Sequence, residues 1–285
     1  MKKYLLIAVT LIMIFTLSGC KKDSMEGINI YTTIYPIEYI TTKLYGDYSN
    51  ISSVYPNEVI KLTDKLLQDY SAGDLFIYNG ISAEKEYAVN MLNKNKGLMI
   101  VDATMGMDVE YSDEELWLNP SNFLMLCLNI KNGMKEYITN TFLKKQIDNN
   151  YDELKLLVSE LDADTKLMVE NATDSNTILV SNDMFKYLEK YNINVISLEN
   201  NNNLNEQLIN EAKIAIDNKS VTYILMLPND TLSDEVEDLV SRNNIEKLYF
   251  NSITTLSESD EKNGKDYLSI MRENLDLLKK ELYAE

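Results

Sequence analysis

The segment from about Thr141 to Asn171 constrains the fold of this chain more than any other, because it carries a helical pattern with no internal proline or glycine. Its apolar positions include Ile147, Tyr151, Leu154, Leu157, Val158, Leu161 and Met168, spaced by threes and fours as one helix face requires. A single helix of this span runs on the order of 45 Å at 1.5 Å per residue. The alternative is two helices broken near Leu161-Asp162-Ala163-Asp164. On both sides of this segment short apolar runs alternate with helical stretches.

Before it, strands are expected at Ile28–Ile34, Asn50–Tyr55, Asp74–Tyr78 and Leu98–Val101. Helices are expected from Pro36 to Tyr45, Glu58 to Tyr70 and Ala83 to Asn93, with Pro120 opening a last one. After it, strands are expected at Thr177–Val180, Asn194–Leu198, Val221–Leu227 and Lys247–Phe250. Helices fall at Met184–Tyr191, Leu204–Asp217, Ser233–Arg242 and Lys265–Tyr283. The pattern predicts an α/β protein of two βα-alternating lobes with parallel sheets, joined by a long linking helix, with ligand between the lobes. The expected division is an N-terminal lobe at 28–139, the linking helix at 140–172 and a C-terminal lobe at 173–285.

The first residues have a different character. Lys2 and Lys3 precede an almost unbroken apolar stretch from Tyr4 to Thr16, then Leu17-Ser18-Gly19-Cys20. This is the layout of a secretory signal over 1–19, and the stretch is short for a membrane span. The tetrapeptide resembles the lipobox of bacterial lipoproteins, which implies cleavage before Cys20 and a lipid on its thiol. A short tether, 20–27, follows. An ordinary signal peptide with an incidental cysteine is the other reading. The second cysteine, Cys127, lies in an apolar run without a disulfide partner, so it reads as a small buried hydrophobe rather than a reactive thiol.

The formal net charge is −18, and loss of the two lysines within 1–19 brings it to −20. Such a surface repels phosphate backbones and excludes nucleic acid as a partner. No histidine is present, which removes serine–histidine and cysteine–histidine catalysis and any zinc site built on imidazole. No phosphate-binding glycine motif occurs. Asp108, Glu110, Asp113 and Glu114 do not match the spacing of a calcium loop and read as a solvated acidic segment. The chain does not read as an enzyme.

Five segments in register carry a family resemblance: Tyr31-Thr32-Thr33-Ile34-Tyr35-Pro36, Ala72 to Gly80, Glu115-Leu116-Trp117-Leu118-Asn119-Pro120, Val180-Ser181-Asn182-Asp183-Met184-Phe185, and Asp266 to Leu275. Together they resemble the zinc- and manganese-binding lipoproteins of ABC importers, the cluster A-I substrate-binding proteins. The resemblance implies a metal held between two lobes and delivery to a membrane permease by a monomeric receptor, lipid-anchored through Cys20 on the outer face of the bacterial membrane. The family's two histidine positions fall on Glu58 and Glu115, its third ligand position on Asn182 and its fourth on Asn251. All four are oxygen donors, which suit a hard divalent cation, manganese-like, and disfavour zinc. The alternative is a degenerate cleft that binds no metal, on a chain acting as an adhesion or modulator module. Trp117 reads as a packed aromatic of the lobe interface.

Overall fold

The computed structural model describes residues 25–172 and 176–284. The signal segment and Cys20 lie outside the described residues. The N-terminal lobe runs β1 (Asn29–Thr32), α1 (Tyr35–Tyr45), β2 (Asn50–Ser53), α2 (Asp64–Tyr70), β3 (Leu75–Tyr78), α3 (Glu84–Lys94), β4 (Met99–Asp102), α4 (Glu115–Leu118) and α5 (Pro120–Tyr137). Next comes α6 (Thr141–Glu170). The C-terminal lobe runs β5 (Thr177–Val180), a 3-10 helix (Asp183–Tyr191), β6 (Asn194–Ser197), α7 (Glu206–Asp217), β7 (Tyr223–Met226), α8 (Asp234–Arg242), β8 (Glu246–Tyr249), α9 (Glu258–Lys262) and α10 (Tyr267–Leu282).

Each lobe holds a four-stranded parallel sheet of the same topology, β2-β1-β3-β4 and β6-β5-β7-β8. Crossover helices cover parallel strands on both faces, so central strands are apolar throughout. Accordingly β3, Leu75-Phe76-Ile77-Tyr78, is buried at every position. In each sheet the chain crosses one way from its first strand and the other way to its third. The β1/β3 and β5/β7 junctions are therefore topological switch points, where loops leave the carboxyl ends of the strands in opposite directions and open a crevice.

The linking segment is one helix of 30 residues, not two, capped by Asn140, whose side chain accepts from the backbone of Phe142 and Leu143. Its buried face is Leu143, Ile147, Leu154, Val158, Leu161, Thr165 and Val169. Leu157, expected inside, is 39% exposed, because Val158 takes the inward position beside it. Asn150 donates to the Leu44 carbonyl at 2.9 Å and ties the helix to the end of α1. The apolar cluster around α6 is continuous with the N-terminal core and reaches Phe185, Phe250 and Tyr267 beyond it. Cys127 is fully buried, and burial pushes its thiol well up, as the hydrophobe reading expects.

Three elements differ from expectation. The helix expected from Glu58 starts at Asp64, where Thr63 takes extended backbone and caps the Leu66 amide at 3.3 Å. The residues before it, including β-branched Val59 and Ile60, form an irregular exposed loop. The segment after β5 is a 3-10 helix rather than an α-helix. The last helix begins at Tyr267 behind an Asp266 capping box, with the short α9 ahead of it.

Gly133 sits inside α5, where intrinsic propensity favours alanine by about 1 kcal/mol. A Cβ there would meet Val101 Cγ1 at 2.6 Å and Cγ2 at 2.9 Å, and valine is stiff at χ1. Overpacking typically costs about 1–3 kcal/mol, so the clash outweighs the propensity gain. Gly133→Ala is expected to lower the urea midpoint with m unchanged; a raised midpoint would show that α5 and β4 do not pack this closely.

Candidate functional site at the lobe seam

The two lobes meet where strand-end loops face each other. The Trp117 indole, 2% exposed, donates to the Ser252 carbonyl at 2.6 Å. The Tyr35 amide, just after β1, donates to the Thr254 carbonyl at 2.9 Å. Tyr267 of α10 stacks on Phe123 of α5 with centroids 4.0 Å apart and planes at 7°, and its hydroxyl donates to the Trp117 carbonyl. Lys190 of the 3-10 helix donates to Asn119, Ser121 and Asp162, pinning that helix to the start of α5 and to α6. Trp117 is thus the packed interface aromatic expected of it.

The four candidate ligands are distributed around this seam. Glu115, 7% exposed, opens α4, and its Oε1 accepts from the Tyr111 amide and, at 3.0 Å, the Ser112 amide. Oε2 takes no part in these bonds. Asn182 caps the 3-10 helix: its Oδ1 accepts from Met184 at 2.9 Å, and its Nδ2 lies 3.5 Å from Asp230 Oδ1. Asn251 follows β8, and its Oδ1 accepts from Ile253 at 2.8 Å. Asn274 reads the Asn251 backbone, accepting its amide and donating to its carbonyl, each at 2.9 Å. Glu58 is exposed in the loop before α2.

Connections through neighbouring residues run between three of them. Trp117, two residues after Glu115, bonds Ser252, the residue after Asn251. Tyr111, bonded to Glu115, lies with its ring centroid 5.0 Å from the Lys186 ammonium of the helix that Asn182 caps. Glu58 enters only by way of Val59, Ile60 and Lys61, which line a cavity together with Trp117 and Thr254. Among the described residues no three or more His, Cys, Asp or Glu side chains are grouped to hold one metal ion.

The lining of that cavity includes Asn79 and Glu84, to which the sequence pattern assigns no role, and Asp113 and Glu114, which are half-buried rather than part of a solvated segment. Asn79 is 2% exposed; its amide donates to Glu84 Oε2 at 2.8 Å, and its Nδ2 lies 3.4 Å from Asp113. Gly80 is glycine because a Cβ would fall 2.1 Å from the Asp102 carboxylate, which its own amide contacts at 3.2 Å. Glu84 stands in the first turn of α3 with acidic neighbours in sequence, so nothing in the pattern singled it out. Burial, joined by the Asp113 charge, lifts its carboxyl to about 7. Asp113 is raised by burial and by Glu114. In the other lobe Asp230 accepts from Ser181 Oγ at 2.5 Å and from the Leu227 amide at 3.1 Å, closing the β5/β7 junction.

A carboxyl raised from 4.5 to about 7 binds its proton more tightly folded than unfolded. Folding stability therefore falls as pH rises between those values, by on the order of 3 kcal/mol for this group. Glu281, also lifted to about 7 by burial, adds the same slope. Glu84→Gln keeps an acceptor for the Asn79 amide and removes the ionisation. Melting temperatures between pH 5 and 8 are expected to fall less steeply in this variant than in the parent chain, its gain building up to about pH 7 and levelling off above it. Parallel curves would refute the assignment.

The sequence profile of the family described as ZnuA, zinc-uptake complex component A, periplasmic, matches residues 30–281. A metal ABC transporter substrate-binding lipoprotein of Lactococcus lactis is 26% identical, over 99% of this chain and 98% of its own length. The manganese ABC transporter substrate-binding lipoprotein PsaA of Streptococcus anginosus is 24% identical, over 97% of both chains. Among solved structures the metal-dependent lipoprotein YcdH of Bacillus subtilis superposes with a TM-score of 0.73 at 20% identity, covering 89% of this chain and 98% of that one. The high-affinity zinc uptake system protein ZnuA of Bacillus subtilis is 24% identical over 94% of this chain and 91% of its own length. The sequence relatives are thus transport proteins that span both manganese and zinc uptake. With the profile running from β1 into α10, the chain belongs to the ZnuA family of metal ABC transporter substrate-binding proteins.

Proposed function

We propose that this chain is the lipid-anchored extracytoplasmic receptor of a metal-type ABC importer, handing a divalent cation to a membrane permease. The cation would be held by oxygen donors drawn from Glu58, Glu115, Asn182 and Asn251, with manganese favoured over zinc. The observation that carries this reading is the Trp117–Ser252 bond, which seats the loop of Glu115 against the loop of Asn251 at the carboxyl ends of the two sheets. Two carboxylates and two amides offer the hard oxygen chemistry that manganese accepts and none of the nitrogen or sulfur that zinc prefers. Glu115 Oε2 and the second lone pairs of the amide oxygens are the donors in question. Anchoring through Cys20, a monomeric state and a position on the outer face of the bacterial membrane complete the proposal.

The bonds that occupy Glu115 Oε1 and both asparagine oxygens favour a second reading, a cleft given over to structure in a chain that serves adhesion or modulates a neighbouring transporter. Thermal melts of chelator-free protein with manganese, calcium and zinc decide between the two. A ligand at a hundred times its Kd adds about 2.7 kcal/mol. Manganese is expected to raise the melting temperature more than zinc, Glu58→Gln and Glu115→Gln to weaken that response at least about tenfold each, and Asn251→Asp to strengthen it. No response to any cation would leave the second reading. Cys20→Ala is expected to move the protein from the membrane fraction to the medium.

A further inference from the structure

We propose that the cavity at the β1/β3 switch point is a second site, for a small organic cation with an ammonium group on a carbon body. It goes beyond the metal proposal and rests only on the chain being a substrate-binding receptor. The cavity measures about 540 Å³ and opens between Ile34, which follows β1, and Asn79, which follows β3. That is the crevice where open parallel sheets take ligands, and its volume is that of a small-molecule site rather than of a bare ion. None of the four candidate metal ligands lines it.

Its lining has two chemical characters. Val59 and Ile60, 53% and 38% exposed, give it apolar walls, and Tyr87 stands with them, its hydroxyl accepting from the Leu62 amide at 3.3 Å. Tyr55 and Trp117, 3% and 2% exposed, border the cavity from behind with almost no accessible surface, and the Trp117 N–H is committed to Ser252. Against these walls stand Glu84, Glu86, Asp113 and Glu114, with Lys61 the one cation in the lining. Among the described residues none of these four carboxylates is within 4.0 Å of a lysine or arginine nitrogen.

Excess negative charge asks for a cation, and two features decide its kind. The acidic groups do not converge on a point as a metal ion requires. Apolar side chains cover the carbon body of an organic ammonium, a gain that a hydrated metal ion cannot exploit. Asn79 fixes the geometry, its amide holding Glu84 and its side chain reaching Asp113.

Trp117 is the only tryptophan in the sequence, so its fluorescence reports on this border of the cavity alone. Full-length protein in EDTA is titrated with phenethylammonium, choline and spermidine, and separately with manganese in chelator-free buffer. At least one ammonium probe is expected to change Trp117 emission with saturation below about 10 mM. Glu84→Gln and Asp113→Asn are expected to weaken that binding at least about tenfold each, while Asp238→Asn on α8, a control for bulk charge, leaves it in place. Saturation with an ammonium in EDTA supports the second site whether or not manganese binds. A manganese response with no ammonium response overturns this proposal and leaves the metal reading standing. Ammonium binding equally weakened by Asp238→Asn also overturns it, since long-range charge would then be the cause.

Discussion

The arrangement of this molecule depends on one set of buried contacts, those made by Trp117 and Tyr267 across the lobe seam. An indole N–H has a single donor and no acceptor, and once buried it needs a partner. That partner is a backbone carbonyl of the opposite lobe, Ser252. Tyr267 meets the same demand by donating to the Trp117 carbonyl while its ring stacks on Phe123. Removing either ring would open a cavity and orphan a polar group together, and the positions of Glu115, Asn251 and the loop after β1 all follow from this junction.

The chemistry at the seam turns on competition for oxygen atoms. A carboxylate or amide at the end of a strand faces backbone N–H groups that have no ladder partner, and it satisfies them first. Glu115, Asn182 and Asn251 each do so, and Asp230 and Glu84 do the same at the two switch points. Histidine cannot cap in this way so readily, since its neutral ring offers one acceptor. Glu115, Asn182 and Asn251 thus double as local braces. A ligand held by them would have to share them, which would link binding at the seam to the stability of the loops that form it.

How much of this was legible in the sequence varies with the range of the interactions. The long helix and both runs of strands follow from periodicity, and they appear nearly where the pattern put them. Glu58 was placed on a helix because polar residues continue the pattern back from Tyr70, but Thr63 stops it by taking extended backbone. Glu84 carried no signal, and Asp113 reads from sequence as part of a solvated segment, since one acidic residue among several looks solvated until a fold buries it. Leu157 lost its place in the core to Val158 for a similar reason: a helix's pattern gives the width of the apolar face but not the angle at which its neighbours meet it.

The sequence by itself determined that there are two parallel α/β lobes on a rigid connector, that no imidazole takes part, and that the surface is strongly acidic. Each of these rests on local pattern or on composition. Only the tertiary structure decided which carboxylates are drawn out of water, which strand-end oxygens are spent on backbone amides, and that apolar side chains and acids share one crevice. Those outcomes are set by contacts between residues far apart in the chain, Trp117 with Ser252 and Phe123 with Tyr267 among them, whose geometry no periodicity encodes.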